Sequence, residues 1–357
     1  MIVLQDYTIQ FQDSGFLQLQ EQLAAAAYSK VFVLVDDNTK EHCLPILEQA
    51  LKAFALHVIH IPAGEAHKNI QTCQQIWQAL LAQKADRKAV LLNLGGGVIG
   101  DMGGFCASTF KRGIDFIQIP TTLLAQVDAS IGGKLGIDFE LVKNGIGLFK
   151  NPKGVYLFPD FFKTLPKAEL YSGFAEIIKH ALIIDSNYWQ QLLPLKDLDG
   201  VNWEPIIKQS LHIKKQVVEQ DPFEKNIRKS LNFGHTIGHA IESLSWESSQ
   251  PLLHGEAVAI GMLIESFLSY KQTGLSQQAL QDISQYLLQL YPKYDLTAFD
   301  QQAILQLIQQ DKKNEQNQIC FTLLQDIGQF SINVDASTAL ILEGLNYYTA
   351  LKKLQTH

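Results

Sequence analysis

The segment Ala89–Phe105, AVLLNLGGGVIGDMGGF, joins an apolar run to a turn of three glycines and then to further small residues. The apolar run predicts a buried strand, and the turn predicts the opening of a helix. Small residues at such a junction let backbone N–H groups and the helix dipole approach a pyrophosphate. The segment is equally typical of a dinucleotide site and of a tight turn in an α/β fold.

Strand and helix patterns alternate outward from this segment. Upstream, VFVLVDDNT and LHVIHIPAGE predict strands, and EHCLPILEQALKAF and NIQTCQQIWQALLAQ predict the helices that follow them. Downstream, IDFIQIP and GVYLF predict two more strands. Repeated alternation predicts a Rossmann-like parallel sheet covered by helices, in an α/β domain over residues 1–162.

Residues 163–357 carry a different pattern. Segments such as AELYSGFAEIIKHALII, EPIIKQSLHIKKQVVEQD and GEAVAIGMLIESFLSYK repeat their apolar residues at helical spacing, and no strand is predicted after GVYLF. The second half is therefore predicted to be an all-α domain. A chain of 357 residues with 46% hydrophobic and 18% charged residues is long enough for two such domains.

The overall composition argues against several classes of partner. The formal net charge of -7 disfavours nucleic acid and anionic membranes, so a bound anion must meet local positive charge. The four cysteines, Cys43, Cys73, Cys106 and Cys320, lie far apart without a C-x-x-C pair, which argues against a disulfide framework and a thiolate zinc site. With no signal-like start and no long apolar stretch, the sequence predicts a soluble, cytoplasmic protein.

Two polar residues follow the strand predicted after Lys30. Asp36 and Asn38 stand where a carboxylate accepts hydrogen bonds from a ribose in dinucleotide-binding folds. The usual fingerprint places the acidic residue about 20 residues after the glycine turn, whereas here it comes before that turn. The pattern therefore departs from the common fingerprint, and an isolated Asp in such a place is most often a loop residue.

The segment Asn232–His239, NFGHTIGH, predicts a metal site in the second half. His235 and His239 are four residues apart on one face of a helix, with glycines that permit close approach of another element. Such histidines also bond to helix neighbours, so another donor is needed. Glu176 and His254 are the candidates, and one carboxylate with two imidazoles leaves an open position for substrate. The spacing does not decide between His239 and His254.

Several basic residues lie in or beside segments rich in glycine or apolar residues, and those outside the predicted helices are interpreted as loop residues. In an acidic protein they indicate an anionic ligand whose phosphate or carboxylate they would bind. Each of them alone is most simply a solvated side chain. They are Arg112, Lys134, Lys143 beside Asn144, Lys179, Lys214, Arg228 and the pair Lys312–Lys313.

Six segments, in this order and over most of the chain, resemble the 3-dehydroquinate synthase family. They are GGGVIGDMGGF, RGIDFIQIPTTLLAQVDASIGGK, KNGIGLF, SGFAEIIKHALI, RKSLNFGHTIGHAIE and HGEAVAIGM. The second is far more specific than a glycine turn. The resemblance implies an α/β domain that binds NAD, a helical domain that binds metal and substrate, an active site in the cleft between them, and a homodimer.

The resemblance also implies roles for single residues. It places zinc, or cobalt, on Glu176, His235 and His254, so that His239 becomes a substrate contact, and it implies that Arg112 reaches the second subunit's site. The implied cofactor residues are Asp36, Asn38, Glu65, Lys68, Gly96, Gly97, Asp101, Thr121, Thr122, Lys143, Phe161, Thr164, Leu165 and Glu169. The implied substrate and catalytic residues are Arg112, Asp128, Lys134, Asn144, Lys179, Lys214, Arg228, Asn232, His239 and one lysine of Lys312–Lys313.

Two positions depart from the family pattern. Asn317 stands near the place of a glycine that often follows the family's DKK segment, and Asn tolerates positive φ better than most residues. Lys167 replaces an arginine in the turn before SGFAE, which weakens any bidentate hydrogen bond there. Neither position is an implied metal ligand.

The resemblance implies a lyase of the shikimate pathway that converts 3-deoxy-D-arabino-heptulosonate 7-phosphate to 3-dehydroquinate and phosphate. The implied reaction combines transient oxidation by NAD, β-elimination of phosphate, reduction and intramolecular aldol closure. Another sugar phosphate cyclase would release phosphate from a different sugar, and a metal-dependent alcohol or polyol dehydrogenase would accumulate NADH. A nucleotide-binding regulator without catalysis is the third alternative, and the full set of metal ligands and cations argues against it.

Overall fold

The computed structural model describes residues 1–13, 16–140, 142–246, 248–310 and 319–352. The chain divides into two compact units, Met1–Pro166 and Lys167–His357. Lys312, Lys313 and Asn317 lie outside the described residues. Among the helices within the described ranges, none has both the length and the apolar character needed to cross a membrane.

A mostly parallel sheet forms the centre of the first unit. Its strands are β1 Ile2–Val3, β2 Thr8–Phe11, β3 Val31–Val35, β4 Leu56–His60, β5 Val90–Gly95, β6 Asp115–Pro120 and β9 Val155–Leu157. Their order in the sheet is β1-β2-β9-β6-β5-β3-β4. Only the edge pair β1 and β2 is antiparallel. The predicted parallel α/β sheet is therefore confirmed.

Both faces of this sheet are apolar, because side chains along a strand point alternately to opposite faces. Phe32 and Leu34 of β3 enter one buried cluster, and Val31, Val33 and Val35 enter another. Neighbouring strands and the covering helices supply the rest of both clusters. The α-helices of this unit are α1 Leu17–Ala26, α2 Asp37–His42, α3 Leu44–Ala50, α4 Ile70–Ala82 and α5 Gly97–Thr109.

The segment EHCLPILEQALKAF contributes to two helices, although its apolar spacing predicts one. Helix α2 ends and α3 begins on either side of Cys43. Pro45, in the first turn of α3, has no backbone N–H to donate into the preceding turn. The prediction of a single helix is wrong for this reason.

An antiparallel hairpin follows β6. Its strands are β7 Lys134–Phe139 and β8 Val142–Phe149. Lys134, Lys143 and Asn144 therefore lie on strands, and the interpretation of their segments as loops is wrong. The glycines in these strands explain the error, because glycine is depleted from most strands and usually marks a turn.

The order of the strands reverses between β3 and β5. From β3 the chain passes to β4 at the sheet edge, and it then returns to β5 and β6 on the other side of β3. In open parallel sheets, ligands bind beyond the carboxyl ends of the strands at such a reversal. Asp36 follows β3 and Gly96 follows β5, so both lie at this position.

Helices dominate the second unit. They are α6 Lys167–Ile184, α7 Ser186–Leu192, α8 Trp203–Gln220, α9 His235–Ser245, α10 His254–Gln272, α11 Gln277–Leu290, α12 Gln301–Gln310 and α13 Thr338–Ala350. Helix α10 is central, because it packs against α6, α9, α11 and α13. The helices expected from AELYSGFAEIIKHALII, EPIIKQSLHIKKQVVEQD and GEAVAIGMLIESFLSYK are present as α6, α8 and α10.

The second unit also contains a hairpin, so the prediction that it is all-α is wrong in this part. Strands β10 Cys320–Asp326 and β11 Gln329–Asp335 pair in antiparallel fashion. Gly328, at φ 87°, allows the tight turn between them, and its N–H donates to the carbonyl of Leu182 at 2.8 Å. The β-forming residues on both sides of that glycine are the signal that the sequence reasoning missed.

Candidate active site

Glycine brings helices α6 and α10 of the second unit into backbone contact. A Cβ on Gly255 would lie 1.9 Å from the carbonyl oxygen of Ser172, so any larger residue would push the helices apart. Glu176 lies about one turn beyond Ser172 on α6. Because His254 directly precedes Gly255, this contact sets the Glu176 carboxylate against the His254 imidazole.

Helix α9 approaches α10 equally closely. A Cβ on Gly261 would lie 1.9 Å from the carbonyl oxygen of Gly234, just before α9 begins. Glu265, buried in α10, accepts hydrogen bonds from the N–H groups of Gly234 at 2.6 Å and of Ile237 at 3.2 Å. A carboxylate at a helix N-terminus satisfies unpaired N–H groups and complements the helix dipole. These contacts fix the first turn of α9, which carries His235.

The side chains of Glu176, His235 and His254 converge on one point. The Nε2 atoms of His235 and His254 lie 3.4 and 3.5 Å from Oε1 of Glu176. That oxygen is buried and has no hydrogen-bond partner within the described part of the chain. One ring nitrogen each of His235, His239 and His254 lies within 4.8 Å of the others. A buried carboxylate oxygen without a partner needs a cation nearby.

Hydrogen bonds behind two of the imidazoles determine which nitrogen faces Glu176. Nδ1 of His235 lies 3.2 Å from the carbonyl oxygen of Phe233, and Nδ1 of His254 lies 3.2 Å from Oε2 of Glu242. Because both oxygens only accept hydrogen bonds, each Nδ1 carries a proton, and Nε2 holds the lone pair in the neutral ring. Carbonyl and carboxylate groups orient metal-binding histidines in this way.

Burial and nearby charges set the protonation of this cluster. Burial acts to raise the pKa of Glu176, but the Lys179 ammonium and His235 outweigh it and hold that pKa well below its usual range. Burial, assisted by Lys179, lowers the pKa of His235 to about 4. Burial also acts to lower the pKa of His254, but the nearby carboxylates of Glu176 and Glu242 outweigh it and raise that pKa to about 9. The two carboxylates beside His254 therefore favour positive charge at this position.

The cluster fits a divalent metal ion. One carboxylate oxygen and two imidazole nitrogens match the ligands of catalytic zinc sites, which keep a further position open. Cobalt accepts the same nitrogen and oxygen donors. His239 is half-buried, with its ring centroid 5.1 Å from that of His235 and 5.6 Å from that of His254. The bonds that orient His235 and His254 fit these two for a role as metal ligands.

Three predicted cations of the second unit are buried, whereas each alone was expected to be solvated. Lys179 is 1% exposed, Lys214 is 4% exposed and Arg228 is 2% exposed. Lys179 pairs with Oε2 of Glu176, and Nη1 of Arg228 donates to the carbonyl of Pro222 at 2.7 Å. Lys179 lies on α6 and Lys214 on α8, the helices predicted from their segments. Their burial requires anionic partners.

The segment before Arg228 is fixed by one carboxylate. Asp221 accepts hydrogen bonds from the N–H groups of Lys225 at 2.9 Å, Asn226 at 2.6 Å and Arg228 at 3.1 Å. Burial acts to raise the pKa of Asp221, but these donors hold it below its usual range. Asn232, in the following turn, donates from its amide to Glu224 at 3.0 Å.

At the reversal point of the first unit, α5 begins without a side-chain cap. Gly96 occupies the N-cap position, and a Cβ on Gly97 would meet only Ala129 at 3.6 Å. The first N–H groups of the helix therefore remain open to an anion. Asp36 stands beside them and caps α2, since its Oδ1 accepts from the N–H of Thr39 at 2.8 Å. This arrangement fits the pyrophosphate and ribose of a dinucleotide.

Lys68 lies deep in the same unit. It is 4% exposed, and its Nζ donates to Asp101 at 2.7 Å and to Oδ1 of Asn144 at 2.8 Å. Burial acts to lower the pKa of Lys68, but the carboxylates of Asp101 and Glu65 outweigh it and raise that pKa. The structure therefore brings Lys68, Asp101 and Glu65, which the resemblance implies as cofactor residues, together with Asn144, which it implies as a substrate residue.

The remaining predicted residues take diverse positions. Thr121 is buried and its N–H donates to the carbonyl of Gly95 at 3.0 Å, which ties the ends of β6 and β5 together. Oγ1 of Thr122 accepts from the N–H of Ala125 at 3.1 Å.

The other predicted residues differ in exposure. Three are exposed: Arg112, Lys134 and Asn38. Two are half-buried, Asp128 and Lys143, and three follow β9, namely Phe161, Thr164 and Leu165. Glu169, on α6 of the second unit, has its pKa raised by burial and by the Glu256 carboxylate.

Sequence reasoning missed the residues that hold the candidate ligands in place. Glu242 lies two turns after His235 on α9, so the helical spacing of His235, His239 and Glu242 is the signal that would have found it. Glu265 and Asp221 act on backbone N–H groups of distant segments. No local pattern predicts those contacts.

Comparisons with known proteins agree with the resemblance. The family described as "3-dehydroquinate synthase N-terminal" matches residues 58–172, and the family described as "3-dehydroquinate synthase C-terminal" matches residues 173–314. The 3-dehydroquinate synthase of Parabacteroides distasonis is 43% identical over 93% of this chain and 94% of its own length. That of Helicobacter hepaticus is 43% identical over 89% of this chain and 90% of its own.

Solved structures share the fold at lower identity. A 2-epi-5-epi-valiolone synthase from Streptomyces hygroscopicus subsp. jinggangensis, with NAD+ and Zn2+ bound, is 24% identical, has a TM-score of 0.86 and covers 98% of both chains. A 2-deoxy-scyllo-inosose synthase complexed with carbaglucose-6-phosphate, NAD+ and Co2+ is 21% identical, has a TM-score of 0.83, and the alignment covers 95% of this chain and 96% of the other. From the family matches and the relatives of 43% identity, this chain belongs to the 3-dehydroquinate synthase family.

Proposed function

We propose that this chain is a 3-dehydroquinate synthase, which converts 3-deoxy-D-arabino-heptulosonate 7-phosphate into 3-dehydroquinate and phosphate. Its family supports the reaction. The convergence of Glu176, His235 and His254 is the observation that carries the proposal, because the chemistry needs a metal ion with an open position. The substrate is a phosphorylated sugar acid, so the chain must also bind a phosphate and a carboxylate.

Glu176, His235 and His254 would hold zinc or cobalt, the ions bound by two structural relatives. When bound, the ion supplies Lewis acidity at a substrate hydroxyl, and NAD supplies a reversible acceptor of hydride. The protein keeps the ligands oriented, and metal binding would displace the proton of His254. Glu242 directs Nε2 of His254 inward, and the Lys179 ammonium keeps Glu176 ionised.

Other side chains of the second unit suit the sugar acid. Lys214 and Arg228 offer only hydrogen-bond donors, and Arg228 can bind a carboxylate through two parallel bonds. Because both side chains are already buried, substrate binding costs them little further conformational entropy. His239 contacts the metal-ligand histidines through its ring and can exchange a proton with a substrate hydroxyl.

In the first unit, the open N-terminus of α5 would bind the pyrophosphate of NAD, and Asp36 would accept hydrogen bonds from a ribose. Gly96 and Gly97 leave room for the phosphate oxygens. The other proposed cofactor residues keep that role as a proposal: Asn38, Glu65, Lys68, Asp101, Thr121, Thr122, Lys143, Phe161, Thr164, Leu165 and Glu169.

Lys134, Asn144 and Arg112 would hold the leaving phosphate, with Arg112 supplied by the second subunit of a homodimer. Lys111 and Arg112 both have positive φ, at 50° and 69°, and Arg112 is exposed. Mixing an Arg112→Ala chain with a His239→Ala chain tests this arrangement. Mixed dimers would regain one intact site, whereas no recovery in dimers purified through a different affinity tag on each chain would contradict it.

The function is tested by incubating the purified protein with NAD, zinc and candidate sugar phosphates. We expect release of phosphate and formation of 3-dehydroquinate from 3-deoxy-D-arabino-heptulosonate 7-phosphate, without accumulation of NADH. Phosphate release from glucose 6-phosphate or sedoheptulose 7-phosphate instead would assign another sugar phosphate cyclase. Sustained NADH formation from an alcohol or polyol would assign a dehydrogenase.

A further inference from the structure

Three residues of the first unit form a closed ring of hydrogen bonds. The N–H of Asn144 donates to Oδ1 of Asp138 at 2.7 Å. Nζ of Lys68 donates to Oδ1 of Asn144 at 2.8 Å. The N–H of Asp138 donates to the carbonyl oxygen of Lys68 at 2.8 Å. The ring joins β7, β8 and the segment after β4, and it fixes both the backbone and the side chain of Asn144.

The backbone of Asn144 needs this support. Its φ is 48°, in the left-handed region that residues other than glycine rarely adopt. The pairing of β7 with β8 shifts register between Ile137 and Phe139, and Asp138 lies at that shift. The shift frees the Asp138 carboxylate to accept from the Asn144 N–H. Asp138 therefore stabilises a conformation that the strand pair alone would not impose.

The side-chain amide of Asn144 has a defined orientation for a chemical reason. The Lys68 ammonium has three donors and no acceptor, so it bonds to the amide oxygen and repels the amide NH2 group. The opposite end of the amide, Nδ2, therefore points away from Lys68. Lys68 keeps its charge in this buried place because Asp101 lies 2.7 Å from Nζ. Asn144 is exposed, so a ligand can reach its side-chain amide.

A phosphate group offers only acceptors to such donors. With the amide reversed, Oδ1 would face the phosphate oxygens and repel them. We propose that Asp138 is a positioning residue, which with Lys68 holds Asn144 so that its amide donors face the phosphate of the substrate. This inference rests on the proposed function, in which Asn144 contacts the leaving phosphate, and it assigns a role to a residue that lacked one.

The test compares Asp138→Ala and Asp138→Asn in the protein loaded with NAD and zinc, using inorganic phosphate as the probe. Asp138→Ala should weaken phosphate binding, measured by calorimetry, by about tenfold, the loss of roughly one good hydrogen bond. KM for the sugar phosphate should rise by a similar factor, while NAD affinity stays within about twofold, because Asp138 acts through Asn144 alone. Asp138→Asn keeps an acceptor oxygen and should recover most of the loss.

A double-mutant cycle separates positioning from a general structural effect. Asn144→Gly removes the amide and adopts positive φ without strain. In that background, Asp138→Ala should change phosphate affinity by less than about twofold, since the group it positions is gone. Asp86→Ala is the matched control, because Asp86 also accepts a backbone N–H, from Lys88 at 2.8 Å, and lies before β5 at the other end of the sheet. It should leave phosphate affinity unchanged.

The outcomes distinguish the two proposals. Wild-type protein that forms no 3-dehydroquinate would overturn the proposed function, and calorimetry with phosphate would still compare the variants. Unchanged phosphate affinity in Asp138→Ala, an equal loss in the Asn144→Gly background, or no binding of phosphate to the wild type would each overturn the role of Asp138.

Discussion

The candidate metal ligands and the candidate cofactor residues differ in what holds them. Glu176, His235 and His254 project from three helices whose backbones touch through glycine, and buried carboxylates fix their orientation. The cofactor candidates instead follow the ends of parallel strands, where open backbone N–H groups of α5 offer the main contact. A site made of buried side chains depends on each of them, whereas a site made of backbone groups tolerates the loss of one side chain.

The largest effect is expected from Glu176→Ala. The variant loses the one carboxylate ligand and leaves the Lys179 ammonium buried without its partner. We expect loss of bound metal and a fall in turnover of about a thousandfold or more, as for the removal of an essential catalytic group. Metal analysis of the purified protein and assay of 3-dehydroquinate measure both.

Glu204→Ala is the control for that variant. Glu204 pairs with Lys208 on the exposed face of α8, where an ion pair contributes about 0–1 kcal/mol. It should keep metal and activity. Full activity of Glu176→Ala after exhaustive chelation would contradict the metal assignment.

Glu242→Gln should have the next largest effect. The carboxylate behind His254 orients the ring and increases its basicity, and loss of such a partner weakens metal binding by about 10- to 100-fold. Titration of zinc into metal-free protein measures this. Zinc affinity equal to that of the wild type would show that Glu242 does not support the site.

In the first unit, Gly97→Ala is expected to weaken NAD binding without changing the stability of the fold. The added Cβ meets Ala129 at an ordinary contact of 3.6 Å, so the fold accepts it, but the methyl group enters the space over the open end of α5. NAD affinity should fall by about tenfold, which corresponds to 1.4 kcal/mol. Fluorescence titration with NADH measures it, with the unfolding temperature of the NAD-free protein as control. Unchanged affinity would place the pyrophosphate elsewhere.

The smallest effect is expected from Asp36→Ala. Loss of the α2 cap should destabilise the protein by about 1 kcal/mol. Loss of a ribose acceptor should weaken NAD binding by a further factor of about three to ten, the value of a single hydrogen bond.

Asn69→Ala is the matched control, because Asn69 caps α4 with the same type of bond, from the N–H of Thr72 at 3.0 Å. It should cause a similar loss of stability in urea unfolding and leave NAD affinity unchanged. A similar loss of NAD affinity in both variants would assign the effect of Asp36 to folding alone.

The sequence predicts the features that depend on local pattern. Apolar runs predict the central strands, because both faces of a parallel sheet are buried and each strand is therefore a continuous apolar segment. The i, i+4 spacing of His235 and His239 predicts a shared helix face, and the glycines around them predict close approach of another element, which in the structure is α10.

Features that depend on distant contacts could not be predicted in this way. Spacing alone left His239 and His254 equivalent, because the bond from His254 to Glu242 joins two helices and leaves no mark in the local sequence. Lys179, Lys214 and Arg228 resemble solvated side chains in sequence, since their burial depends on helices packing from elsewhere in the chain. The glycine-containing hairpin of β7 and β8 was interpreted as loops, because its register is set by pairing and not by composition.

The central claim is that Glu176, His235 and His254 bind one metal ion and that His239 stands beside it. Zinc titration of metal-free His254→Ala and His239→Ala protein tests this most directly, because each variant removes one imidazole from the same cluster. We predict that His254→Ala loses zinc affinity by about a hundredfold or more and that His239→Ala stays within about threefold of the wild type. Loss of zinc from His239→Ala with retention by His254→Ala would contradict the account.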